Sequence, residues 1–116
     1  MGGSARERQR IPVPPLRIRF VTEGLDAVGE LSAISRTGMF VETDELPRPG
    51  AVVALQFWTP SGDLVDLRGE VRWNTQGLAH AAGLRGFGVL VHEAPQSYRQ
   101  FFIWAQAEKS DDLEPE

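Results

Sequence analysis

The sequence predicts an all-β protein, a six-stranded antiparallel β-barrel with one C-terminal α-helix. Six short segments alternate apolar and polar residues, which is the pattern of half-buried strands. They recur at intervals of roughly 8–15 residues and are joined by turns rich in glycine and proline. No helical pattern separates consecutive strands, so an antiparallel barrel is favoured over parallel βαβ units.

Residues 1–15 are predicted to form a flexible, arginine-rich N-terminal arm. Ala5 is the only apolar residue within the stretch 2–9, so this stretch has almost nothing to bury. Prolines close the arm, and each one removes a backbone donor and favours extended geometry. The barrel is therefore predicted to occupy residues 16–93.

The fifth predicted strand carries the clearest expectations about which side chains face inward. Its alternation places Leu67, Val71 and Trp73 in the core, and Gly69 is interpreted as a β-bulge. The glycines of the last strand, in "GFGVLV", predict sharp curvature. The six predicted strands are 16–21, 27–31, 39–43, 51–58, 64–73 and 84–93.

A helix is predicted over residues 94–108, followed by a disordered acidic tail over 109–116. Pro95 suits a first helical turn. Ile103 and Trp104 fall off the main apolar stripe, so the helix has a second apolar side available to a partner. The main stripe, which is predicted to plug or flank the barrel, is formed by Tyr98, Phe101, Phe102 and Ala105.

Composition excludes several classes of function. The 116 residues include no cysteine, and the two histidines, His80 and His92, are far apart, so no metal site or cofactor is expected. A net charge of −4, with arginines near the start and acids near the end, disfavours general nucleic-acid binding. No apolar stretch approaches the roughly 20 residues that span a bilayer. A cytoplasmic protein without membrane insertion is expected.

Catalysis is not predicted either. Ser35, His80 and Asp63 are the residue types of a hydrolase triad, but nothing around Ser35 resembles a nucleophile elbow. The chain also lacks a Walker loop and a dinucleotide-binding fingerprint. We therefore expect the protein not to be an enzyme.

Two short motifs stand out at the start of the chain and between the second and third strands. Arg6 and Arg10 form an Arg-x-x-x-Arg pair, and Ser35 and Gly38 form a Ser-x-x-Gly turn. The planar guanidinium of arginine binds phosphate bidentately, reads guanine edges and stacks on bases. Glycine in such a turn allows either a positive φ or a close approach of backbone.

The order and spacing of these motifs resemble the PilZ family, whose signature is Arg-x-x-x-Arg followed by Asp/Asn-x-Ser-x-x-Gly. The segments "GEVRW" (69–73) and "GFGVLV" (86–91) look like the family's last two barrel strands. The resemblance implies a PilZ-like β-barrel. It also implies binding of cyclic di-GMP, a bacterial second messenger with two guanines on a ring of two phosphates.

The resemblance also implies roles for individual residues. Arg6 and Arg10 would bind phosphates and guanine edges, and Ser35 would hydrogen-bond the ligand. Secondary candidates are Arg8, for its charge, and Trp73, for base stacking. The arm would fold over the ligand, so that arginines, turn and nucleotide form a new face for an unidentified protein partner.

One position departs from the family signature. Ala33 stands where the family has Asp or Asn, and alanine cannot accept a hydrogen bond from guanine. Two hypotheses follow from the sequence. The first is a stand-alone cyclic di-GMP receptor or adaptor, monomeric or weakly dimeric; the alternative is a PilZ-like interaction module that has lost ligand binding.

Overall fold

The computed structural model describes residues 11–76 and 84–113. All strand pairs are antiparallel, and the order β1-β2-β3-β6-β5-β4 closes into a barrel through pairing of β1 with β4. One helix follows the last strand, so the predicted fold class is confirmed. The elements are β1 (Ile11–Thr22), β2 (Leu25–Ile34), β3 (Gly38–Glu42), β4 (Val52–Trp58), β5 (Leu64–Asn74), β6 (Gly86–His92) and α1 (Gln96–Leu113).

The barrel interior is a single apolar core that α1 closes at one end. Phe20 and Phe87 meet edge to face inside the barrel, with ring centroids 5.0 Å apart. Phe57 makes a similar contact with Phe101 of α1 at 5.3 Å. The predicted stripe of α1 faces this core, where Tyr98, Phe101 and Ala105 are buried and Phe102 is partly buried. Burial of this stripe holds the helix against the barrel.

β1 starts at Ile11, five residues before the predicted start at Leu16. The side chains of Ile11 and Val13 are buried in the core, and this burial draws the proline-rich stretch into the barrel. The pairing register of β1 with β2 shifts between Pro12 and Leu16, where the prolines interrupt the ladder. The other predicted strands agree with the observed ones to within three residues at each end.

The prediction for β5 was right for two side chains and wrong for a third. Leu67 and Val71 are buried, but Trp73 faces outward with 38% of its surface exposed. The register with β6 shifts between Val71 and Trp73, so the bulge lies at Arg72 and reverses the alternation after it. Gly69 pairs regularly, and a Cβ there would lie 2.5 Å from the carbonyl oxygen of a β6 residue.

The helix is longer than predicted, because α1 continues to Leu113 rather than ending at residue 108. Ile103 and Trp104, the predicted second apolar side, are 62% and 37% exposed. The expectations for residues 1–10 and for the end of the tail, 114–116, fall outside the described residues. Within the described chain, no helix has both the length and the apolar character needed to cross a membrane.

Candidate functional site

The turn between β2 and β3 is tied into the barrel by backbone hydrogen bonds. The Ser35 amide donates to the Gly38 carbonyl over 2.8 Å, which closes the turn. The Val91 amide, on β6, donates to the Thr37 carbonyl over 2.8 Å. The phenol of Tyr98, on α1, lies 2.7 Å from the Ser35 carbonyl oxygen and 2.8 Å from that of Gly38. These contacts hold the Ser-x-x-Gly segment in one shape.

Ser35 and Gly38 both contribute to the structure of the turn. Ser35 is 7% exposed, and its hydroxyl oxygen lies 3.4 Å from the Gly38 carbonyl oxygen. Gly38 does not have a positive φ. A Cβ on Gly38 would instead lie 2.5 Å from the Val89 carbonyl oxygen. Of the two reasons predicted for this glycine, close backbone approach is therefore the one observed, and the approaching backbone is that of β6.

A groove of about 440 Å³ opens on the outer surface beside this turn. The turn forms one wall, β6 forms the floor, and the end of β5 forms the opposite wall. Arg72 is its charged lining residue, and no ion pair within the described chain engages it. The groove is lined by Ser35, Thr37, Gly38, Arg72, Trp73, Gly88, Val89 and Leu90.

The indole of Trp73 is seated on the sheet by its neighbours. It stacks on Phe40 with ring centroids 5.3 Å apart and an interplanar angle of 22°. It also lies over Gly88, where any Cβ would overlap the indole nitrogen Nε1. A Cβ on Gly86, two residues earlier in β6, would meet the Phe40 ring at 2.8 Å. The two glycines thus leave bare backbone on which both aromatic rings lie.

Ala33 belongs to the same outer surface, although it does not line the groove. Strand pairing places Pro12 opposite Ala33, Ala33 opposite Phe40, Phe40 opposite Gly88 and Gly88 opposite Trp73. Residues paired directly across an antiparallel sheet share a face. Ala33 and Trp73 therefore lie on one row across the sheet, with the Phe40 ring between them.

The pairing of β1 brings the N-terminal arm to the site. Ile11, the first residue of β1, is the partner of Ile34, which directly precedes Ser35. Whatever path the arm takes, it joins the barrel beside the turn. Arg6 is five residues before Ile11, so its Cα lies at most about 18 Å away along the chain. The predicted ligand-binding residues Arg6, Arg8 and Arg10 lie outside the described residues.

Electrostatic pairing is concentrated away from the groove. Arg19 donates two hydrogen bonds to Asp26, at 2.9 and 2.7 Å, and these lower the pKa of the Asp26 carboxyl from its ordinary value. Arg48 similarly lowers the pKa of Glu23. Both pairs are exposed. Across the described ranges, no cluster of side chains is suited to a metal ion.

Of the residues predicted from sequence, the structure brings Ser35, Gly38 and Trp73 to one groove. Sequence reasoning did not identify Arg72 as a lining residue or Phe40 as the support of the indole. The signal for Phe40 was present in "GFG", because two glycines spaced by one residue bare the same face of a strand. Thr37, Gly88, Val89 and Leu90 were also missed as lining residues.

The fold and the groove together define a class of protein, a small closed β-barrel with an apolar interior and a groove on its outer surface. The sequence model for the PilZ domain matches residues 4–101, and the chain belongs to the PilZ family. PilZ domains are ligand-binding adaptor domains and not enzymes, and the family is one of cyclic di-GMP receptors and adaptors.

A solved structure shares this fold. It is described as the structure of Bacillus subtilis Inhibitor of motility (MotI/DgrA), and it superposes with a TM-score of 0.75 at 15% sequence identity. The match covers 92% of this chain and 53% of the other, so this chain spans about half the length of that one. Among curated proteins, none matches the sequence.

Proposed function

We propose that this protein is a cyclic di-GMP receptor that regulates a protein partner by changing its own surface when the ligand binds. One observation carries the proposal. The pairing of Ile11 with Ile34 joins the Arg-x-x-x-Arg arm to the barrel beside the Ser-x-x-Gly turn and its groove. This pairing supports the proposal that two motifs far apart in sequence contact one ligand.

The groove and the arm offer complementary chemistry. Trp73 presents a supported, partly exposed indole on which a guanine can stack. Arg6 and Arg10 supply the planar guanidinium groups that bind phosphates and guanine edges, and Arg8 adds charge. Arg72 places a further cation in the groove itself. A ligand with two guanines and two phosphates uses both kinds of contact at once.

Ser35 acts mainly through the shape of the turn. Its hydroxyl lies 3.4 Å from the Gly38 carbonyl oxygen, and the lone pairs of this hydroxyl oxygen can accept a hydrogen bond from a ligand. An acceptor is what the N–H groups of a guanine edge require. Gly38 contributes by allowing the turn to approach β6 closely enough to form the groove wall.

The change of surface comes from the arm. Residues 2–9 have almost no apolar surface to bury by themselves, so phosphates provide the main reason for them to fold onto the barrel. When the arm closes over the ligand, the arginines, nucleotide and turn form a composite face beside β1. Ordering of a segment by a phosphate ligand is an established kind of molecular switch.

A second candidate function is favoured by one specific observation, the alanine at position 33. Ala33 is half-buried on the row that ends at Trp73, and its side chain offers no acceptor for guanine. A PilZ-like module that has lost ligand binding and acts only through protein contacts also accounts for this residue.

Titration calorimetry with cyclic di-GMP on the wild type and on Ala33→Asn separates the two candidates. If the site is competent, the wild type binds and the new amide tightens binding by up to about 3 kcal/mol, since it restores a polar contact to guanine. If the domain is an interaction module, neither protein binds. Tight wild-type binding that Ala33→Asn leaves unchanged would show that position 33 contributes nothing to recognition.

A further inference from the structure

Tyr98 connects the helix to the turn of the proposed site. It is the only tyrosine of the chain and is fully buried near the start of α1. Its hydroxyl contacts the Ser35 and Gly38 carbonyl oxygens at 2.7 and 2.8 Å. A residue 63 positions after Ser35 and 60 after Gly38 thus clamps both ends of the Ser-x-x-Gly turn.

The chemistry of this clamp makes it sensitive to small movements. A phenol carries one O–H proton, so the two carbonyl oxygens compete for or share a single donor. Both short distances hold together only while the turn and the phenol keep their relative positions. Because the Tyr98 ring is packed in the core, the hydroxyl cannot follow a moving turn unless α1 moves with it.

The same helix reaches the surface on its other side. Phe101, one turn after Tyr98, packs on Phe57 inside the barrel and stacks on Trp104 with ring centroids 5.8 Å apart. Trp104 is 37% exposed and its neighbour Ile103 is 62% exposed. The helix backbone and the shared core thus connect Tyr98, which holds the turn, to Phe101, which stacks on the partly exposed Trp104.

We infer that Tyr98 is a positioning residue that sets the shape of the ligand turn from α1 and couples occupation of the groove to the position of the helix. A ligand that contacts Ser35 or Gly38 and shifts the turn weakens the hydrogen bonds of the Tyr98 hydroxyl to the two carbonyl oxygens. The position of α1 then changes with that of the turn. By linkage, anything that fixes α1 also changes the affinity for the ligand. The ligand-dependent half of this inference rests on the proposed function, whereas the positioning of the turn does not.

The positioning role is tested without ligand by amide hydrogen exchange on Tyr98→Phe, which removes the hydroxyl and keeps the ring. We expect the Ser35 and Val91 amides, which donate into the turn, to exchange about tenfold faster relative to the Leu55 amide in β4. Phe101→Leu is the matched control. This variant weakens the packing of the same helix but keeps the Tyr98 hydroxyl. The Ser35, Val91 and Leu55 amides should therefore exchange faster by a similar factor, with their relative rates unchanged. Equal protection of Ser35 and Val91 in Tyr98→Phe and wild type would overturn the inference.

The coupling is tested by titrating cyclic di-GMP while observing the indole N–H resonance of Trp104. In the wild type we expect this resonance to move on binding. In Tyr98→Phe we expect the movement to be lost and affinity to fall about five- to tenfold. Wild-type affinity and an undiminished Trp104 shift in Tyr98→Phe would refute the coupling. A wild type that does not bind would refute the proposed function and the coupling, while the exchange experiment would still decide the role of Tyr98.

Discussion

Two exposed tryptophans on neighbouring strands differ in how firmly the surrounding residues hold their side chains. Trp73, on β5, stacks on Phe40, lies over Gly88 and has 38% of its surface exposed. Trp58, on β4, is 63% exposed, and no aromatic ring of the described residues stacks on it. Of these two side chains, only that of Trp73 is held by a stacked aromatic ring.

The grooves beside the two tryptophans also differ. Trp58 borders a groove with Leu64, Val28 and two arginines, and one of these, Arg19, is already paired with Asp26. The groove at Trp73 adjoins the turn and the root of the arm. Ordering a side chain on binding costs free energy, and a side chain that is already held avoids that cost. This difference is why we propose Trp73, and not Trp58, as the residue on which a guanine stacks.

The largest expected effect comes from the arginines of the arm. Arg10→Ala and Arg6→Ala should each weaken cyclic di-GMP binding by roughly 1.5–3 kcal/mol, because charge-assisted hydrogen bonds to phosphate are lost. Arg17→Ala, beside Trp58, is the matched control and should bind as the wild type does. Calorimetry gives the affinities, and thermal denaturation should show little change. A large fall in melting temperature for Arg6→Ala or Arg10→Ala would assign these residues to folding.

Replacing each tryptophan tests the comparison itself. Trp73→Ala should weaken binding by about 1–3 kcal/mol, the usual contribution of a base stacked on an aromatic side chain. Trp58→Ala should leave affinity unchanged. Calorimetry on both variants decides between the two surfaces, and equal losses in the two would remove the distinction drawn between them.

A glycine near each tryptophan gives a smaller and more specific test. Gly88→Ala adds a Cβ where the indole lies, so Trp73 must lift from the sheet and affinity should fall about tenfold. Gly62, in the turn after Trp58, has φ +96° and open space around it. Gly62→Ala should therefore cost about 1 kcal/mol of stability and leave affinity intact. Unchanged affinity in Gly88→Ala would mean that the position of the Trp73 indole over Gly88 does not affect ligand binding.

The smallest expected effect concerns the ion pair near Trp58. Because Arg19 lowers the pKa of Asp26 in the folded state, the pair stabilises the protein above the unfolded pKa of this carboxyl. That stabilisation is lost as pH falls through the lowered folded pKa. Both side chains are exposed, so salt should screen the effect.

Melting temperatures of the wild type and Asp26→Asn, measured between pH 7 and pH 3 at low ionic strength, test this expectation. A slight advantage of the wild type near neutral pH should disappear at the acidic end. Cyclic di-GMP affinity should be the same in both proteins. An advantage that grows as the pH falls would contradict the assigned direction of the pKa shift.

Much of this fold was predictable from sequence because its main determinants are local. Alternation of apolar residues defined the strands, and the spacing of Tyr98, Phe101 and Ala105 defined the buried face of the helix. What alternation cannot locate is a bulge, because the extra residue at Arg72 carries no distinctive side chain. That bulge reversed the expected direction of Trp73 and turned a predicted core residue outward.

The site was predictable only in part for a related reason. Ser35 and Gly38 were identifiable as a motif, but their contacts with Tyr98 and Val89 join segments that are distant in sequence. The extension of β1 back to Ile11 was likewise hidden, because the prolines at positions 12, 14 and 15 favoured a strand that starts only at Leu16. Burial of apolar side chains outweighed the lost backbone donors.

The indole N–H resonances of the wild-type protein, followed during addition of cyclic di-GMP, test the central claim most directly. A guanine stacked on Trp73 must change the magnetic environment of that indole more than that of any other. The account predicts a large, saturable shift of the Trp73 resonance and none for Trp58. A Trp73 resonance that stays in place while the ligand binds, or that moves less than that of Trp58, would contradict it.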